Sequence, residues 1–181
     1  MVNWNWYLII ATSVSIIAAT ATVASVKYAY KQHKFMEKTF KNQLLLELFK
    51  DYRSEKMLNA LTTIHKFIRE CKEQKKDYVK VYMDGYENDK ADIHCQRRVL
   101  EKFYHHLAWL HNKEIIDDDM VFDNWNIRDL GIIEKIIPIE EQLFEKIYGV
   151  ASTDNDVRIM KKLCVDADNY DKKIRKNIDK K

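Results

Sequence analysis

Residues 93–110 read Ile93-His94-Cys95-Gln96-Arg97-Arg98-Val99-Leu100-Glu101-Lys102-Phe103-Tyr104-His105-His106-Leu107-Ala108-Trp109-Leu110. Ile93, Leu100, Tyr104 and Leu107 recur at helical spacing, with Val99, Phe103 and Leu110 beside them. This pattern predicts an amphipathic helix over about 89–112. On its far side Arg98, Lys102, His105 and Trp109 are spaced 4, 3 and 4 residues apart, a basic stripe ending in an aromatic ring. Arg97 breaks the pattern by standing within the apolar arc. A buried arginine must find a carboxylate, a carbonyl or a bound anion. Glu101, four residues on, is the local candidate, and a ligand is the alternative.

Outward from this helix the chain also reads as helical. Ser54 is a natural N-cap for a helix over 55–73, with Leu58, Leu61, Phe67 or Ile68, and Cys71 facing a core and Met57 and Ile64 beside them. Tyr78-Val79-Lys80-Val81-Tyr82-Met83 is the exception, a β-branched and aromatic run that predicts one short strand before the Asp84-Gly85 turn. A lone strand needs a partner, so it either pairs with another chain or serves as an extended linker. Toward the C-terminus, Asp117-Asp118-Asp119 suits the start of a short helix through Trp125. A calcium loop would need a glycine and a glutamate that are missing there. A long helix over 127–148, bent or split at Pro138 and closed by Gly149, and a last helix over 155–178 complete the reading. With 3 Gly and 1 Pro in 181 residues, the fold class is mainly α, a helical bundle with at most the one strand near 78–83.

The N-terminal segment reads differently. Residues 7–26 carry no charge, and twenty helical residues reach about 30 Å, the thickness of a bilayer core. Lys27, Lys31, Lys34, Lys38 and Lys41 follow on one helical stripe, while no Lys or Arg precedes the segment. That asymmetry predicts a single-pass anchor in the inner (cytoplasmic) membrane, with the N-terminus outside and the rest cytosolic. A cleaved signal peptide is the alternative, with Ala19-Thr20-Ala21 as its cleavage site, although the charge polarity is reversed for one. The expected organisation is a lipid-embedded anchor at 1–26, a basic neck helix at 27–52 and a helical domain at 53–181. Ala11, Ser15, Ala19 and Thr22 form a small-residue ridge, and Met36, Phe40, Leu44 and Leu48 an apolar one. Both suit a homo-oligomer.

Composition removes several functions. Cys71, Cys95 and Cys164 are odd in number and widely spaced, which excludes a disulfide framework and a CxxC metal site. His105 and His106 are adjacent and point about 100° apart on a helix, so they cannot chelate one metal. No glycine-rich phosphate loop, nucleophile elbow or paired carboxylates near a histidine are found, so neither a cofactor nor an enzyme is expected. A net charge of +3 is too small to signal duplex nucleic acid. What remains is local: a basic stripe with an indole suits a phosphate carrying a flat ring, such as a nucleotide. Arg97, Arg98, Lys102, His105 and Trp109, with Lys80 and Tyr82 of the preceding segment, are the candidate ligand-binding residues. A partner-binding scaffold anchored on Trp109 is the second class.

The run Gln96–Leu110, followed by Ile115-Ile116-Asp117-Asp118-Asp119-Met120-Val121, resembles a family of uncharacterised bacterial membrane-anchored helical proteins. Members look like one span, a charged neck and a domain with an Arg-Arg-Val-x-x-Phe-like helix and an Ile-Asp-x-Asp-x-Val step. The likeness covers residues 30–145, includes the Pro138 segment and stops short of the tail beyond Gly149. It implies no activity and assigns no catalytic residue. The layout is also similar to that of small membrane effectors of CRISPR and other anti-phage systems, which implies a nucleotide second messenger sensed in prokaryotic defence signalling.

Overall fold

The computed structural model describes residues 4–87, 91–149 and 155–178. Its helices are α1 (Trp4–Tyr52), α2 (Glu55–Glu73), α3 (Tyr78–Glu87), α4 (Ala91–Asn112), α5 (Asp118–Phe122), α6 (Ile127–Leu130), α7 (Ile133–Tyr148) and α8 (Asn155–Ile178). No strand occurs among the described residues. The chain divides into two compact units, Met1–Leu44 and Leu45–Lys181.

In the first unit almost every described side chain is exposed. Among the described residues no helix is long and apolar enough to cross a membrane. This overturns the transmembrane helix expected over 7–26 and the single-pass anchor built on it. Six of the twenty residues are Ser or Thr. Their hydroxyls turn back on the helix: Ser15 Oγ donates to the Ala11 carbonyl at 2.9 Å and Thr22 Oγ1 to that of Ala18 at 2.8 Å. Leu8, Ile9, Ile10, Ile16 and Ile17, on which the expectation also leaned, have side chains outside the described set. Lys27, Lys31, Lys34 and Lys38 are exposed, and Lys41 pairs with Glu37 at 3.5 Å.

In the second unit α4 is the central element, packed against α2, α7 and α8. Leu100, Tyr104 and Leu107 are fully buried, as the apolar row predicts. Trp125, Ile133, Ile136 and Ile139 add large buried side chains from the C-terminal half. Ser54 caps α2 by accepting from the Met57 backbone N–H at 3.2 Å. The buried face of α2 is turned from the expected one: Met57, Ala60, Ile64 and Cys71 are buried, while Leu58 is exposed. Leu58 and Met57 are adjacent, so a rotation of about 100° exchanges them.

The strand expected at 78–83 is instead the start of α3. The Asp77 carboxylate accepts from the Val79 N–H at 2.9 Å, which opens a helix. Val79 and Tyr82, three residues apart, then bury together against Ile139 and Leu143 of α7, flanked by Phe67 of α2. Burial along that face outweighs the β preference of the residues. The break expected at Pro138 is also displaced: α7 runs through Pro138, and the chain parts at Gly131 between α6 and α7. Ile133, Ile136, Ile137, Ile139 and Leu143 bury the helix on both sides of the proline, enough to offset one missing hydrogen bond. α4 closes with Glu114 in the left-handed region at φ 56°, and Ile115 N–H reaches back to the Leu110 carbonyl at 3.0 Å. That turn delivers the fully buried Ile116 to the core and Asp117 to the N-cap of α5.

Candidate functional site

Because α4 turns about 100° per residue, its two neighbouring arginines face opposite ways. Arg97 points inward and is 6% exposed. Its Nε donates to Tyr82 Oη at 2.8 Å, and its guanidinium pairs with Glu140 of α7 and with Glu101 at 3.7 Å. Tyr82 Oη also lies 2.5 Å from His94 Nδ1, a hydrogen bond whose direction follows the imidazole tautomer. A buried charge must be matched locally, and Glu140 with Glu101 matches this one. Arg97 and Tyr82, both candidate ligand residues from the sequence, are therefore engaged in tying α3 and α7 to α4. Lys80 is exposed on α3, away from the arginine pair.

Arg98 points outward into a recess of about 590 Å³. The recess is formed by the last turns of α1, the first turn of α2 and one side of α4. Lys56, Arg98, Lys102 and His106 supply its cationic groups. The side chains of these four make no ion pair or hydrogen bond among the described residues. Leu48 and Met57, 3% and 1% exposed, form its apolar floor with Val99 and Phe103. Asp51, Ser54 and Cys95 complete the lining. Ser54 is occupied, its Oγ donating to the Asp51 carbonyl at 2.7 Å while capping α2.

The wall around Phe103 is rigid. Its ring lies 5.5 Å from Tyr52, 5.2 Å from Tyr104 and 6.2 Å from Trp125, and Phe49 stacks on Trp125 at 4.9 Å. Tyr104 Oη donates to the Asp129 carbonyl at 2.9 Å. Burial, with Tyr52 and Asp129 nearby, pushes the Tyr104 hydroxyl far above its usual range, so it stays a neutral donor.

Of the sequence-predicted residues, only Arg98 and Lys102 line this recess. His105 and Trp109 lie on the same stripe but do not line the recess, which sits to the Cys95/His106 side of it. Trp109 is 41% exposed. Sequence reasoning missed Lys56, which arrives from another helix, and His106, one residue along from the histidine chosen. Stepping four residues from Arg98 to Lys102 and four more reaches His106, and that spacing was the available signal.

A second recess of about 640 Å³ lies at the other end of α4, lined by His111, Asn112, Glu114, Asp117, Asp118, Asp119, Lys162 and Asp166. Its polar groups are joined to one another. His111 Nε2 is 2.8 Å from Asp118 and Nδ1 is 3.9 Å from Asp166. Lys162 Nζ donates to Asn112 at 2.9 Å. Tyr170 Oη lies 3.0 Å from Asp119 and 2.8 Å from Asp123. No group of three or more potential metal ligands is found among the described residues. No family model, curated protein or solved structure matches the chain, so the resemblance drawn over residues 30–145 receives nothing from these comparisons.

Proposed function

We propose that the second unit is a non-enzymatic binding module for a small anionic ligand, held in the recess of Lys56, Arg98, Lys102 and His106. One observation carries this reading: two lysines, an arginine and an imidazole converge on one concave surface and none has a partner among the described residues. Arg98 and Lys102 stand at i and i+4, where like charges repel, an arrangement that an anion relieves. A volume near 590 Å³ suits a ligand of small-molecule size. Catalysis is disfavoured by distance. Cys95, the thiol of the recess, is eleven residues from His106 on the same helix, about 16 Å along its axis, too far for a nucleophile and its base.

The test is a thermal-shift panel on the full chain with pyrophosphate, nucleotides and organic carboxylates, repeated on Arg98→Glu. A ligand at a hundred times its dissociation constant adds about 2.7 kcal/mol to stability, a shift of several degrees. The reading expects a shift in the wild type that Arg98→Glu abolishes. An unresponsive wild type, or an equal response in the variant, refutes it. A partner-binding role has its own support in the first unit, where Phe35, Met36 and Phe40 are exposed apolar side chains.

A further inference from the structure

The recess is not uniformly basic. Asp51, at the end of α1, lines it with an exposed carboxylate, and among the described residues that carboxylate forms no ion pair with the lysines, the arginine or the histidine of the recess. The Asp51 carboxylate therefore lies beyond the 4 Å of a salt bridge from their nitrogens. The half-buried Phe103 and Val99 are apolar members of the same lining, and Phe103 packs against Tyr52, Tyr104 and Trp125. A ligand complementary to this lining combines an anion, a flat apolar body and a hydrogen-bond donor.

Resting on the anion-binding reading, we infer that the recess takes a nucleoside monophosphate. Its phosphate meets Arg98 and Lys102, its base lies over Phe103 and Val99, and an amino or hydroxyl group donates to Asp51. Orthophosphate and lipid headgroups lack the flat apolar body. Stacking on an aromatic side chain is tolerant of base identity, so discrimination among bases falls to the donor that reaches Asp51. A carboxylate accepts and cannot donate at neutral pH, which selects ligands with an amino or hydroxyl group at that position.

The experiment is calorimetric titration of the full chain with the four nucleoside 5′-monophosphates, ribose 5-phosphate and orthophosphate. It is repeated on Asp51→Asn and Arg98→Glu, each checked for unchanged helical circular dichroism. At least one nucleotide should bind tenfold or more tightly than ribose 5-phosphate and orthophosphate. Asp51→Asn should erase most of that advantage while leaving orthophosphate binding unchanged, and Arg98→Glu should abolish both. Equal affinity for orthophosphate and every nucleotide overturns the inference but leaves the anion reading standing. Nucleotide binding unaffected by Asp51→Asn overturns the assigned donor contact. Binding of a carboxylate in the thermal-shift panel with no nucleotide binding overturns the inference alone, whereas silence in both experiments overturns the two together.

Discussion

The two recesses on α4 are nearly equal in volume, about 590 and 640 Å³, and opposite in charge, yet they are built on different terms. The acidic one is closed on itself: His111, Lys162 and Tyr170 supply cations and donors to Asp118, Asp166, Asn112, Asp119 and Asp123. The basic one leaves Lys56, Arg98, Lys102 and His106 without partners among the described residues. A satisfied polar cluster contributes to folding, whereas an unsatisfied one holds its interaction energy for something that arrives later. The difference separates bracing from binding on a single helix.

The same contrast is sharpest between adjacent residues, and it gives the largest expected effect. Arg97→Ala should remove about 3–5 kcal/mol of stability by leaving Glu140 buried without its cation. Arg98→Ala should change stability by no more than about 0.5 kcal/mol. Urea denaturation of both variants measures the gap, and a large loss from Arg98→Ala would break the distinction. In the acidic recess, His111→Ala should lose about 1–3 kcal/mol, since His111 bonds Asp118 and packs against Phe122 at 5.3 Å. The same denaturation experiment checks it.

Tyr170 makes the acidic recess sensitive to alkali. Its hydrogen bond to Asp123, then burial and the bond to Asp119, hold its hydroxyl well above the ordinary tyrosine value. A folded-state value raised above the unfolded value of about 10 gives stability that is intact below pH 10 and lost as pH climbs beyond it. Urea midpoints from pH 8 to 11 should therefore fall more steeply in the wild type than in Tyr170→Phe. The smallest effect belongs to the basic recess. Lys102→Gln should raise stability by about 0.2–0.5 kcal/mol in the absence of ligand, by removing the repulsion with Arg98, and added salt should shrink the gain.

Helix boundaries governed by local chemistry were legible. Ser54 marks the start of α2, and Gly149, in the left-handed region at φ 70°, marks the end of α7. The apolar row of α4 was legible because its core contacts extend over six turns of one period. Tyr78–Met83 was not, since Val79 and Tyr82 satisfy a strand-like composition and a helical face equally until α7 arrives to cover them. The partner of Arg97 was half legible: Glu101 lies four residues away, but Glu140 is brought by another helix. The recess was legible only along α4. Lys56 and Asp51 enter it through the packing of α1 and α2, which no spacing within one helix reveals.

An anion held in this recess would shield Cys95, which lies in its lining. Cys95 is exposed in the lining, Cys71 is buried, and burial beside Glu134 and Asp168 pushes the Cys164 thiol up to about 12, so it stays protonated and slow. The decisive measurement is the alkylation rate of Cys95, followed by mass spectrometry on the full chain with and without pyrophosphate. Slower labelling of Cys95 with pyrophosphate, unchanged labelling of Cys164, and no protection in Arg98→Glu are the results expected. Equal rates with and without pyrophosphate and nucleotides, or protection that survives Arg98→Glu, would contradict the claim.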